Sequence, residues 1–200
     1  MSKKLVDNIH LMSNPELIGL AKNRWLPADV QLAIAEHPYR RAHEYLCEND
    51  GLDRKTRDYL WSDACNRGYS LKTLLLTYGH YTQDPSKYEE LYEKHPGAWS
   101  RSPWRMSRAL LGGTQYWQSP KAENLGCPPR LLNRIYDEQF KPKLKGLGTS
   151  RYSSYYGIST YDVERLAMHP NADITLAIKL STCGVDNVQK LAFKKIVELS

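Results

Sequence analysis

Cysteine is scarce in this chain and widely scattered. Cys47, Cys65, Cys127 and Cys183 lie 18, 62 and 56 residues apart, so no close pair has the spacing that brings two thiolates to one metal ion. Reduced, partly buried thiols are expected. Long apolar runs are missing too. No stretch approaches the roughly 18 uninterrupted apolar residues of a membrane span, and the opening MSKKLVDNIHLMSNPELI lacks the long apolar centre of a secretion signal. These absences predict a soluble, cytoplasmic chain with no membrane partner. Val-rich alternating segments bounded by hairpin turns are few, which argues against a sheet. Catalytic signatures are equally thin. None of the six histidines is paired with Glu and a second His at helical metal-binding spacing, and no serine lies in a Gly-x-Ser-x-Gly turn. No catalytic residue, cofactor or metal is expected.

What is present is a recurring phrase: an apolar residue, two positions, then His or Asn followed by Pro. It occurs as Leu11 to Asn14-Pro15, Ile34 to His37-Pro38, Tyr92 to His95-Pro96 and Leu166 to His169-Pro170. A residue before proline is driven out of the helical region, so each phrase marks a place where one helix stops and another begins. Asn14 and Pro15 suit the start of a helix over about residues 15 to 23, with Leu17, Leu20 and Ala21 as its apolar stripe. Pro27 opens the next, with Val30, Ala33 and Ile34 on one face. Ala42, Tyr45 and Leu46 follow, up to the turn at Asn49-Asp50-Gly51. Asp53 caps a segment with Tyr59, Leu60 and Ala64; Ser70 caps another with Leu71, Leu74, Leu75 and Tyr78 before Gly79. Asp84-Pro85 and Ser102-Pro103 repeat the grammar, and Pro128-Pro129 lead into Leu131, Leu132, Ile135 and Tyr136.

The spacing of the phrase is irregular but repetitive. Asn14 to His37 is 23 residues, His37 to His95 is 58, and His95 to His169 is 74, with an intermediate unit fitting near Asn66. The expected fold is all-α, an irregular stack of short helix pairs resembling an α-solenoid, in a single domain. Its helical body spans residues 1–139, a basic Tyr-rich loop residues 140–159, and a C-terminal helical repeat of the same domain residues 160–200. Residues 166 to 192, LAMHPNADITLAIKLSTCGVDNVQKLA, resemble a unit of the leucine-rich-repeat variant, an α-helical solenoid; residues 28–46 and 124–138 are looser matches, and HEAT-like repeats compare as well. That family's iron–sulfur module has no counterpart here, since no clustered cysteines precede the repeats. The resemblance implies a curved helical stack used for macromolecular binding, without catalysis.

Charge is distributed unevenly. The chain carries +6, but between Lys94 and Arg151 eleven Lys and Arg stand against Glu123, Asp137 and Glu138, a regional +8 that leaves −2 for the rest. Such polarity recruits an acidic partner by steering and counterion release. Aromatics interleave with these cations at Trp99, Arg101, Trp104, Arg105 and Arg108, followed by Trp117. Trp104 and Arg108 are four apart and share a helix face, with Arg101 and Arg105 as a neighbouring basic edge. Rings beside guanidinium groups suit protein interfaces and unstacked bases alike, and core tryptophans with solvated arginines give the same composition.

From Phe140 to Ser159 the helical periodicity lapses. Lys141, Lys143, Lys145 and Arg151 precede Tyr152, Tyr155 and Tyr156, so the segment reads either as a binding loop or as a linker. His37, His95 and His169 sit at helix ends, where imidazoles can bond terminal carbonyls or meet the dipole. The acids Asp84, Glu89, Glu90 and Glu93 read as a solvated face or first-turn charge. These readings converge on a non-enzymatic protein whose basic, aromatic surface engages an acidic protein, by tethering or inhibition, as a viral factor directed at a host component would. Nucleic acid is the alternative ligand. A helical-repeat DNA base-repair enzyme is the third reading, with Asp137, Asp162 or Asp173 as its carboxylate.

Overall fold

The computed structural model describes residues 2–62, 69–81, 84–95, 97–101, 103–111, 126–144 and 160–200. Among them there are helices and turns and no strand, so the chain is all-α. They gather into two compact units, Met1–His80 and Tyr81–Ser200.

Unit 1 contains α1 (Ser2–Asn8), a 3-10 turn (Ile9–Leu11), α2 (Asn14–Ala21), α3 (Ala28–Glu36), α4 (Arg40–Glu48), α5 (Arg54–Trp61) and α6 (Tyr69–Thr77). Each packs on the helix two places further along: α1 on α3, α2 on α4, α3 on α5 and α4 on α6. The apolar stripes expected from spacing form the core, with Leu17, Val30, Ile34, Ala42, Leu46, Leu60 and Leu71 all fully buried. Helix boundaries follow local chemistry. The α2 start belongs to Ser13 and not Asn14, because the Glu16 carboxylate takes both the Ser13 N–H (2.8 Å) and its hydroxyl (2.6 Å). Asp53 caps α5 as expected, accepting from the N–H of Lys55 and Thr56. Ser70 is not a cap: α6 has already begun at Tyr69, and the Ser70 hydroxyl accepts from Arg40 at 3.2 Å. Gly79 ends α6 at φ +79°, where the His80 N–H turns back to the Leu75 carbonyl.

Unit 2 contains α7 (Pro85–Lys94), α8 (Ala98–Arg101), α9 (Pro103–Leu111), α10 (Pro129–Ile135), a π-helical turn (Tyr136–Phe140), α11 (Lys141–Leu144), α12 (Thr160–Met168), α13 (Ile174–Ser181) and α14 (Asp186–Leu199). Helix α9 packs on α8 and α12, while α12, α13 and α14 pack on one another and α10 on α13. The segment 129–144 is one continuous helix with a π turn inside it. The expectation of a loop from residue 140 is therefore corrected for 140–144: Phe140 and Leu144 are buried and prolong the stripe of Leu132 and Tyr136 at four-residue intervals. Residues 145–159, like Asn66, lie outside the described residues.

At His37-Pro38 and His169-Pro170 the imidazole Nδ1 accepts the backbone N–H two residues on, from Tyr39 (3.2 Å) and Asn171 (3.1 Å), so it serves the start of the following turn. Two distant copies of the phrase thus build the same local turn.

Candidate interaction surface

The basic segment on α8 and α9 divides into a buried half and an exposed half. Trp99, expected on the surface, is 2% exposed, and its ring meets Phe140 edge-on at 5.7 Å between centroids. Its position is a correction: an indole is the largest apolar group available at this junction, and burying it joins α8 to the end of the π turn. Met106, Ser107, Ala109, Leu110 and Leu111 of α9 are buried as well. Arg105 is exposed and Arg108 half-buried, three residues apart and so neighbours on the outer side of the helix. Arg101 is exposed at the end of α8, two residues beyond Trp99. Lys141, next to Phe140, is exposed, and Lys143 is half-buried. The Trp99–Phe140 contact therefore joins the two cationic segments from inside. Trp104 lies on α9, but its side chain is outside the described residues, as are Trp117, Lys145, Arg151, Tyr152, Tyr155 and Tyr156.

Not all of the regional positive charge faces outward unopposed. The carboxylates of α7 lie just ahead of the cationic stretch from Lys94 to Arg151, and they answer three of its cations. Glu89 takes two hydrogen bonds from Arg130, one of them 2.6 Å; Glu93 pairs with Arg134; and Glu90 pairs with Lys94 at 3.2 Å. The acidic run is thus an ion-pairing edge and not merely a solvated face. Arg134 also reaches Glu138 (3.1 Å) and lies over the Tyr92 ring, 5.2 Å from its centroid. The Tyr92 hydroxyl donates to Glu138 at 2.8 Å, and burial pushes its pKa up to about 12. Hydrogen bonding by Tyr92 holds the Glu138 carboxyl below its usual range. The π turn makes this possible. Its extra residue per turn directs Glu138 and Gln139 to Tyr92 while Asp137 reaches Lys179 of α13 at 2.7 Å.

The three carboxylates considered for base chemistry have other duties. Asp137 is paired with Lys179; Asp173 caps α13 through the Leu176 N–H at 2.8 Å; and Asp162, almost fully buried, accepts the Ser107 hydroxyl at 2.6 Å with Arg165 at 3.9 Å. Among the described residues no group of three or more His, Cys, Asp or Glu is placed to hold a metal ion. Burial drives the Cys127 thiol well above its ordinary pKa, which removes thiolate character. No described helix is long and apolar enough to cross a membrane.

One exposed aromatic escaped the sequence reading. Trp25, in the loop between α2 and α3, is 83% exposed. Its signal in the sequence is a tryptophan directly after Arg24, inside a linker and off any apolar stripe. No family model matches the chain, and no curated protein or solved structure matches it either.

Proposed function

We propose that this chain is a non-enzymatic binding protein that engages an acidic protein surface through the cationic ridge of unit 2, Arg101, Arg105 and Arg108 with Lys141 and Lys143. The observation that carries the reading is the sidedness of α9. Met106, Ser107, Ala109, Leu110 and Leu111 are sealed inward, and Arg105 and Arg108 are left on the outer side. Burial of Trp99 takes one stacking group away from this face and shifts the balance toward charge complementarity with a protein and away from base stacking. The packing of each unit 1 helix on the second one along is the connectivity of stacked helix pairs, and it supports the likeness to solenoid repeats, whose broad faces serve as docking surfaces. Tethering or inhibition of the partner is the mode of action this reading assigns to the ridge.

The test is affinity capture from the natural host with the wild-type chain and with R105E/R108E. An acidic companion lost on charge reversal, while the helical circular dichroism spectrum persists, is the expected result. A companion retained by the variant refutes the assignment.

A further inference from the structure

Unit 1 holds Trp25 in the open by a rigid device. The loop 22–27 is clamped from beneath by two buried side-chain amides. Asn49, 5% exposed, donates to the carbonyls of Ala21 and Asn23, both at 3.0 Å, and accepts the Gly51 N–H at 2.9 Å. Gln31, 2% exposed, donates to the carbonyls of Leu26 (2.8 Å) and Gly51 (2.9 Å) and accepts the Asp53 N–H at 2.8 Å. Leu26 anchors the loop in the core, and the Trp25 N–H is bound by the Asn23 side chain at 3.0 Å. Gly51 packs so closely on the Arg24 carbonyl that a Cβ there would collide with it. These bonds immobilise a backbone whose outermost side chain is an indole.

The surroundings of that indole define its ligand. Trp, Tyr and Arg are common to protein hot spots and to single-strand contacts, so the choice between them rests on the charge around the ring. Around Trp25 the exposed loop residues are Lys22, Asn23, Arg24 and Pro27, two of them cations, while the exposed carboxylates Asp29 and Asp50 stand just outside the loop on the segments that follow and clamp it. The Arg24 guanidinium stands 5.3 Å from the Trp25 ring centroid, and the Lys22 ammonium lies 4.3 Å from that of Tyr45. The exposed Trp25 ring and the half-buried Tyr45 ring, each with its own cation, pair a stacking surface with phosphate neutralisation. We propose that this loop is a single-stranded nucleic-acid contact in which a base stacks on Trp25 while Arg24 and Lys22 meet the flanking phosphates. The pre-ordered loop lowers the entropy lost on binding. The proposal rests on unit 1 alone and does not depend on the ridge of unit 2.

The test is fluorescence anisotropy of a labelled oligothymidylate of about 12 nucleotides with the full chain, between about 50 and 200 mM salt. Binding should fall steeply with salt, and Trp25→Ala should weaken it about tenfold or more, with Trp25→Tyr retaining most of it. Lys22→Gln with Arg24→Gln should flatten the salt dependence. R105Q/R108Q should leave the Trp25-dependent part intact. Trp25 is exposed, so its substitution leaves the helical spectrum unchanged. Absence of binding at about 50 mM salt, or equal binding by the wild type and Trp25→Ala, overturns the proposal. So does equal, Trp25-sensitive binding of poly-L-glutamate, which would make the loop a contact for acidic protein.

Discussion

Trp99 separates the interior of unit 2 from its surface, and replacing it tests that division. Truncation to alanine in a buried site costs about 3–5 kcal/mol through lost transfer energy and the cavity left behind. Two further effects oppose each other here. The edge-on contact with Phe140 adds about 0.5–1.5 kcal/mol to the loss. The indole N–H, buried with no partner among the described residues, is a liability of about 1–3 kcal/mol that alanine removes. They roughly cancel, so Trp99→Ala should destabilise unit 2 by about 3–5 kcal/mol. With a urea slope of about 2 kcal/mol per molar, the midpoint falls by about 2 M. Trp99→Phe keeps most of the hydrocarbon and discards the N–H, and should cost only about 1–2 kcal/mol. Urea unfolding followed by far-ultraviolet circular dichroism reads both. A drop below about 0.5 M for the alanine variant would mean that Trp99 is not part of the core, and the surface reading of this residue would return.

Three other outcomes follow from the structure. Gly51→Ala should lower the thermal midpoint of unit 1 by the equivalent of about 1–3 kcal/mol, since the obstacle to a Cβ is the Arg24 backbone carbonyl and not a movable side chain. Arg134→Gln should change stability by less than about 1 kcal/mol despite three short contacts, because its pairs with Glu93 and Glu138 are exposed; a larger loss in a salt-dependent denaturation series would contradict this. His80 is half-buried, with Nε2 2.7 Å from the Cys47 carbonyl, and burial holds its pKa below the ordinary 6.5. The unfolded chain gains a proton at about pH 6.5 that the folded chain refuses, so stability is whole above that pH and declines as pH falls below it. Comparing urea midpoints at neutral and mildly acidic pH checks the sign, and His80→Gln should shrink the difference.

Much of the secondary structure was legible because it depends on near neighbours. Proline after His or Asn stops a helix through a clash within two residues, Asp53 and Asp84 cap through amides two or three positions on, and Leu131, Leu132, Ile135 and Tyr136 share a stripe through helical geometry alone. Legibility failed where the deciding partner was far along the chain. Lys141 to Leu144 read as loop because their composition is basic, yet Phe140 is tied to Trp99 and the helix runs on. The window from Lys94 to Arg151 read as strongly cationic because Glu89 and Glu93, which neutralise Arg130 and Arg134, stand just before it.

Pattern and composition by themselves determined that the chain is all-α, where most of its helices begin and end, and that net positive charge is concentrated between Lys94 and Arg151. Tertiary structure alone decided which aromatic groups face solvent. An indole close to an arginine in sequence can be sealed, as Trp99 is, or displayed, as Trp25 is, because burial is set by partners outside its own turn of chain. For Trp99 that partner is the π turn ending at Phe140, and for Trp25 it is the pair of amides on Gln31 and Asn49 that hold its loop outward.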